Sequence, residues 1–266
     1  MDLRKKPIKE EGNDMKKLTV FIALSILLLV TSAVGAVTLP FSDNFESYTV
    51  GQAPPSPWFN LAGGGGTVTN LAAVSGTKSL IVSGGPFASQ TAVVDLGANY
   101  PNLFSYKGWV KINSAGGSAF LGFFEQTANM APQFNSVYFH SDGNVYFHNS
   151  DKNYPLDIKL QDNFALGVWH KVYTEIDFIS LKANVWIDDF LVGNQTQAGP
   201  KNATYELYGN TYNFELRKVG IEHYSGAPIY FDDFSVQAVP EPTTLLLLGS
   251  GLIGLAGYGK KKFFRK

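Results

Sequence analysis

Two carboxylates separated by one residue are the side chains of this sequence with the clearest potential for catalysis. The alternation of a β-strand would place five side chains on one face: Trp169, Lys171, Tyr173, Glu175 and Asp177. Retaining glycoside hydrolysis needs a nucleophile and an acid/base carboxyl about 5 Å apart. The residue three positions after Asp177 is Ser180, whose hydroxyl cannot supply an acid at neutral pH. The sequence therefore predicts a non-catalytic protein, and an atypical glycoside hydrolase would need a carboxyl from another segment.

Aromatic residues form two predicted carbohydrate-binding platforms. Sugar C–H faces pack on aromatic rings while sugar hydroxyls bind nearby polar groups. The first platform is Trp169 and Tyr173 beside Glu175 and Asp177. The second, rich in loop residues, comprises Tyr205, Tyr208, Tyr212, Tyr224 and His223. The alternative is that these rings fill the core, in which case the protein is a structural or adhesion protein without a specific glycan ligand.

Short β-like runs, separated by Gly, Asn, Asp and Pro, must position these side chains. They are 79–83, 90–96, 104–112, 119–126, 136–141, 144–149, 169–178, 183–187, 190–192, 214–222 and 229–236, preceded by an alternating run at 41–48. No amphipathic helix of convincing length is present. This pattern predicts an all-β, antiparallel β-sandwich.

Two hairpins can be aligned from their turn residues. Asp142-Gly143 predicts a two-residue turn, which would put His140 opposite Val145 and send His140 and His148 to opposite faces. That register disfavours a metal site shared by the two histidines. Asp188-Asp189 predicts a second turn, between Ile187 and Phe190.

Composition limits the function classes. The net charge is −1 and both ends of the chain are basic, so the central body is mildly acidic and predicts no nucleic-acid partner. Cysteine is absent, which excludes thiol chemistry and zinc–thiolate sites. The predicted body, 37–238, has about 200 residues, enough for one well-buried core.

The N-terminal residues predict export. Met15-Lys16-Lys17 precedes an apolar run at 18–30 and small residues up to Ala36, which is the order of a secretory signal peptide. We therefore predict a leader and signal peptide at 1–36. Residues 1–14 are charged and fit no part of such a signal, so Met15 is the expected true start.

The C-terminal residues, 239–266, predict sorting. Val239-Pro240-Glu241-Pro242 is followed by an uncharged apolar run at 243–258 and a basic tail at 260–266. The run predicts a single hydrophobic transmembrane helix, and the basic tail is expected to stay in the cytoplasm. This arrangement resembles the PEP-CTERM sorting signal. The resemblance implies recognition of Val239 to Pro242 by an exosortase-type protease, removal of the helix, and delivery to the cell surface or extracellular matrix, commonly among exopolysaccharide. An ordinary C-terminal membrane anchor is the alternative.

Three places in the body resemble the concanavalin A-like lectin/glucanase superfamily, including laminin-G-like modules. They are the run at 41–48, the segment 169–189, and the closing run at 229–236. Within the second, Glu175-Ile176-Asp177 begins like the Glu-x-Asp-x-x-Glu signature of retaining glucanases, but Ser180 replaces the last glutamate. The resemblance implies a jelly roll whose terminal strands lie side by side, with carbohydrate binding as the common activity.

Paired terminal strands would also bring together four acids: Asp43, Glu46, Asp232 and Asp233. Carboxylate oxygens are the ligands that calcium prefers, so a structural calcium ion is a candidate cofactor, with solvated acids or strand-end hydrogen bonding as the alternative. Taken together, the sequence predicts an exported, polysaccharide-binding matrix protein that is tethered at the inner membrane before processing.

Overall fold

The computed structural model describes residues 39–61, 64–84, 90–97, 99–127, 130–240 and Ser250. Within these residues the regular structure is antiparallel β-strand. The strands are β1 (Phe41–Asp43), β2 (Thr67–Thr69), β3 (Ser79–Val82), β4 (Gln90–Asp95), β5 (Leu103–Ile112), β6 (Ser118–Phe124), β7 (Gln133–Phe139), β8 (Val145–His148), β9 (Asp157–Gln161), β10 (Trp169–Asp177), β11 (Lys182–Ile187), β12 (Phe190–Gln197), β13 (Asn202–Leu207), β14 (Asn210–Glu215), β15 (Lys218–Ser225) and β16 (Ile229–Ala238).

Two sheets enclose the core. The larger has eight strands in the order β12-β11-β10-β5-β16-β3-β2, and β1 also pairs with β16. The smaller has six strands in the order β4-β15-β6-β7-β8-β9. Alternate side chains of both sheets meet in one buried cluster, to which β5 contributes Phe104 and Tyr106 and β6 contributes Leu121 and Phe123. The predicted all-β sandwich is confirmed.

The first and last strands are neighbours, as the superfamily resemblance implied. Phe41 pairs with Val236 and Asp43 with Phe234. The predicted strand at 41–48 is too long, however, because β1 ends at Asp43 and the chain turns through Phe45, whose φ is 60°. Phe45 is fully buried, so the turn inserts its ring into the core.

The predicted register of the β7–β8 hairpin is wrong by one residue. Phe139 pairs with Val145, and the N–H of His140 donates to the carbonyl of Asn144 over 2.9 Å. The loop therefore has three residues and ends at Gly143, whose φ of 89° suits glycine. A shift of one residue reverses the face of every side chain, so His140 and His148 lie on the same face.

A two-stranded hairpin, β13–β14, lies outside both sheets. The sequence does not predict this hairpin, because its pattern favours one strand over 214–222, whereas β14 ends at Glu215 and β15 begins at Lys218. Its turn is Tyr208-Gly209, with φ values of 48° and 76°. The Asp188-Asp189 turn, by contrast, is confirmed: Ile187 pairs with Phe190 and both aspartates have positive φ.

Most of the terminal segments that predict export and sorting lie outside the described residues. The predicted leader and signal peptide, 1–36, lies wholly outside them, and so does the predicted helix at 243–258 apart from Ser250. None of the segments that are described forms a helix with the length and apolar character needed to cross a membrane.

Candidate functional site

The first predicted platform lies on the outer face of the eight-stranded sheet. Along β10, Trp169, Lys171, Tyr173, Glu175 and Asp177 are half-buried, while the even-numbered residues between them are buried. The predicted alternation is therefore correct. The rings lie on an open sheet surface, where Trp169 meets Tyr230 edge-on at 6.5 Å between ring centroids and Tyr173 lies 5.2 Å from Trp186.

Neighbouring side chains hold the two carboxylates of this platform. Glu175 accepts a 2.6 Å hydrogen bond from the hydroxyl of Tyr173. Asp177 accepts bonds from the backbone N–H of Ile179 and from the hydroxyl of Ser180, at 2.8 Å and 2.7 Å. Burial works to raise the pKa of Asp177, but these hydrogen bonds outweigh it and lower the pKa. Ser180 therefore forms part of a turn whose hydrogen bonds engage the carboxylate of Asp177.

The four acids predicted to bind calcium all accept hydrogen bonds from the protein. The carboxylate of Asp43 accepts hydrogen bonds from the side chains of Trp58 and Tyr48. The carboxylate of Glu46 accepts hydrogen bonds from the backbone N–H groups of Thr77 and Lys78. Asp232 accepts a hydrogen bond from the backbone N–H of Val74, and Asp233 accepts one from the hydroxyl of Ser75. Burial raises the pKa of Asp232 to about 6. Among the described residues, no three His, Asp or Glu side chains form a group that could hold a metal ion.

The structural calcium ion stays a prediction, and chelation tests it. If an ion is bound to the folded state, EDTA removes that contribution and lowers Tm by several degrees, because a ligand stabilises the state that binds it. Thermal unfolding followed by circular dichroism, with EDTA and then with excess calcium, measures the effect. An unchanged Tm would contradict the calcium site.

The second predicted platform separates into exposed and buried parts. Tyr208, at the tip of the β13–β14 hairpin, is 92% exposed. Tyr212 lies 6.4 Å from Tyr205, and its ring is nearly parallel to that of Phe214, 4° apart. Tyr224 is 48% exposed at the end of β15, whereas His223 is 1% exposed. His223 is therefore unable to contact a ligand, and burial lowers its pKa.

Tyr205 and Tyr224 line a cleft on the outer face of the six-stranded sheet, which we call the aromatic cleft. Its volume is about 340 Å³ and it is lined by Phe120, Met130, Ala131, Pro132, Gln133, Tyr138, His140, His148, Ser150, Leu156, Asp157, Tyr205 and Tyr224. Phe120 and Tyr138 stack beneath it, with centroids 3.8 Å apart and planes 9° apart. Tyr224 meets Phe120 edge-on at 5.9 Å.

Polar groups converge on the same cleft. His148 joins Asp157 through Nδ1 at 2.8 Å and Ser150 through Nε2 at 3.2 Å. Gln133 donates to the buried carboxylate of Glu222 over 2.8 Å. Burial raises the pKa of Tyr138 to about 12, so its hydroxyl stays a neutral donor at physiological pH. The cleft therefore places the half-exposed ring of Tyr224 beside hydrogen-bonding groups, over a floor of two buried, stacked rings.

Sequence reasoning missed most of this cleft. The predicted hairpin register placed His140 and His148 on opposite faces, which concealed their common position beside Tyr138. Phe120 lies in β6, where every residue is buried, so no alternation distinguishes the inner face from the outer. The only signal in the sequence was the pair Tyr205 and Tyr224.

Comparison with solved structures supports the fold. The chain is similar to a sialidase at 12% identity and a TM-score of 0.51, over 77% of this chain and 19% of the sialidase. At this identity the likeness shows the fold alone, and the chain spans about a fifth of the sialidase's length. A weaker likeness is to a protein of unknown function from Shewanella oneidensis MR-1, with 12% identity and a TM-score of 0.46 over 88% of this chain and 97% of that one. Another is to a xylan-binding domain from Paenibacillus barcinonensis, with 16% identity and a TM-score of 0.35 over 75% of this chain and 95% of that domain.

The C-terminal residues match a family model. No curated protein matches the sequence. Residues 238–261 match the PEP-CTERM protein-sorting motif, in agreement with the prediction for 239–266. The N–H of Val239 donates to the carbonyl of Leu103 over 3.1 Å, and Pro240 follows. The motif implies an exported protein that is anchored in the membrane before processing by exosortase-type machinery.

Proposed function

We propose that the protein is a non-catalytic, polysaccharide-binding module that is sorted to the cell surface or extracellular matrix. The aromatic cleft is the observation that carries the proposal. It combines the half-exposed ring of Tyr224 with several hydrogen-bonding groups, above the stacked rings of Phe120 and Tyr138. Side chains on the other face of the same sheet pack into the core. A volume of about 340 Å³ suits a short stretch of a sugar chain.

The sandwich architecture adds support. Two antiparallel sheets with paired terminal strands are what the concanavalin A-like, laminin-G-like resemblance implies, and carbohydrate binding is common among such domains. Assignment to that superfamily is part of the proposal. So are the signal peptide, cleavage at Val239 to Pro242, and placement among exopolysaccharide in a biofilm matrix.

The hydrogen bonds at the first platform support a role without catalysis. Glu175 is bonded to Tyr173, and Asp177 is engaged by the turn that contains Ser180. Ser180 stands at the position of the third acid in the glucanase signature, which leaves no proton donor for the leaving group. Release of reducing ends from a bound polysaccharide would instead favour the atypical hydrolase.

Substituting Tyr224 with alanine is expected to weaken polysaccharide binding five- to tenfold, because an exposed ring that stacks on a sugar contributes about 1 kcal/mol. Isothermal titration with the best ligand from a panel of bacterial and plant polysaccharides measures the loss. Because Tyr224 is half-exposed, the fold is expected to tolerate the change.

The matched control is Tyr208→Ala, which removes an even more exposed tyrosine that does not line the cleft. This variant should bind as the unmodified protein does. Equal losses in both variants would place binding elsewhere. No binding to any polysaccharide of the panel would favour the structural or adhesion role.

A further inference from the structure

Three of the chain's four tryptophans lie on the outer face of the eight-stranded sheet. They are Trp109 on β5, Trp169 on β10 and Trp186 on β11, and all three are half-buried. None belongs to the hydrophobic clusters of the described residues, where Trp58 is the tryptophan of the core. Large rings on an open sheet face are therefore available to pack against a ligand.

Lysines alternate with these rings. Across the β5–β10 ladder, Lys107 pairs with Tyr173, Trp109 with Lys171, and Lys111 with Trp169. Each ring therefore stands directly opposite a lysine, and directly opposite side chains lie about 5 Å apart at Cβ. We call this surface, with Trp186 beside Tyr173, the tryptophan–lysine face.

Two of these lysines are uncommitted. Lys171 forms an ion pair with Asp189 at 2.6 Å. In the part of the chain that the structure describes, the ammonium groups of Lys107 and Lys111 have neither a hydrogen bond nor an ion pair. Among the same described residues, the lysine that lies over aromatic rings is Lys201, so Lys107 and Lys111 do not form cation–π contacts with the neighbouring rings. Their charges are free to meet a ligand.

The acids nearby are engaged with the protein. Lys107 lines a polar cleft of about 590 Å³ with Asp43 and Asp233, and both aspartates accept hydrogen bonds from neighbouring side chains. Glu175 accepts a hydrogen bond from Tyr173 and Asp177 accepts one from Ser180, and both carboxylates lie at the far end of β10 from Trp169. The two lysines without a protein partner lie on either side of Trp109 on β5, and Lys111 stands opposite Trp169 at the other end.

We propose that the tryptophan–lysine face binds an acidic polysaccharide that carries uronic-acid carboxylates. The rings pack on the sugar faces, and Lys107 and Lys111 pair with the carboxylates. The inference adds a ligand class and a second surface to the proposed function, and it does not use the aromatic cleft.

Polygalacturonate and its fully methyl-esterified form provide the sharpest test, because they share one backbone and differ in charge. We expect the full-length protein to bind polygalacturonate at least tenfold more tightly than the ester, with an affinity that falls as salt rises. Equal binding of the two, or no binding of polygalacturonate, would overturn the proposal.

The double variant Lys107→Gln/Lys111→Gln should weaken polygalacturonate binding about tenfold. Its control, Lys152→Gln/Lys159→Gln, removes two lysines from exposed ion pairs with Glu206 and Asp162. Neither lysine lines the aromatic cleft or belongs to the tryptophan–lysine face. The control should retain the affinity of the unmodified protein. An equal loss of binding in both variants would show that the overall charge of the protein, and not the position of the lysines, determines binding, and it would overturn the proposal.

The same titrations separate this inference from the proposed function. Tyr224→Ala should leave polygalacturonate binding intact. If that variant loses it while Lys107→Gln/Lys111→Gln retains it, the aromatic cleft is the acidic site, so the inference fails and the proposed function stands. Tighter binding of a single-stranded oligonucleotide than of polygalacturonate would overturn the inference in favour of nucleic acid.

Discussion

Replacing Pro240 and Pro242 with alanine is expected to leave the chain uncut and membrane-bound. Proline fixes φ and lacks an N–H, and it also restricts the residue before it to extended conformations. Prolines on both sides of Glu241 therefore favour an extended peptide, which is the form that proteases bind. Alanine at both positions removes this restriction.

The measurement is an immunoblot of membrane and medium fractions, with mass spectrometry of the C-terminal peptide. Removal of everything after Pro242 shortens the chain by 24 residues (266 − 242). Pro54→Ala/Pro55→Ala, a proline pair in a loop of the body, is the matched control and should be processed normally. Normal processing of the Pro240/Pro242 variant would contradict recognition through these prolines, whereas an unmodified protein that is never cut would point to an ordinary membrane anchor.

The substitution Asp43→Ala is expected to cause the largest loss of stability among single changes in the region where the chain termini meet. The carboxylate of Asp43 accepts three hydrogen bonds: from the indole N–H of Trp58 at 2.7 Å, from the hydroxyl of Tyr48 at 2.5 Å and from the backbone N–H of Phe45 at 2.8 Å. Trp58 is only 4% exposed, so its N–H would be buried without a partner. We expect a loss of about 3 kcal/mol, or roughly 6 to 12 °C in Tm.

Urea unfolding followed by tryptophan fluorescence measures this loss. Asp95→Ala is the control, because Asp95 is exposed and, among the residues that the structure describes, its carboxylate accepts a hydrogen bond only from the N–H of Gly97. It should change the free energy of unfolding by well under 1 kcal/mol. A similar small change for Asp43→Ala would show that the three bonds to Asp43 contribute little.

Much of the fold could be predicted because local patterns determine it. The alternation of β10 and the Asp188-Asp189 turn both depend on residues close in sequence, and both were predicted correctly. The sorting motif is likewise a local feature. Asp43, predicted as a calcium ligand, has partners at positions 45, 48 and 58, and recognising them required the turn at Phe45 that the predicted strand did not contain.

The aromatic cleft could not be predicted because it depends on register and on strand pairing. One extra loop residue at Gly143 decides whether His140 and His148 share a face. The tryptophan–lysine face was predicted only along β10, since the partners of that strand on β5 lie some 60 residues earlier in the chain. Alternation within one strand identifies a face but not its neighbours.

The central position of β16 has a consequence for the order of assembly. This strand pairs with β5 on one side and with β3 and β1 on the other, yet it is the last strand of the body to be synthesised. The eight-stranded sheet therefore cannot close until residue 238 has emerged, and the sorting motif begins there. Until then β5 and β3 present unpaired edges, which is the state most exposed to aggregation. Completion of the sandwich is thus coupled in time to arrival of the tail at the membrane.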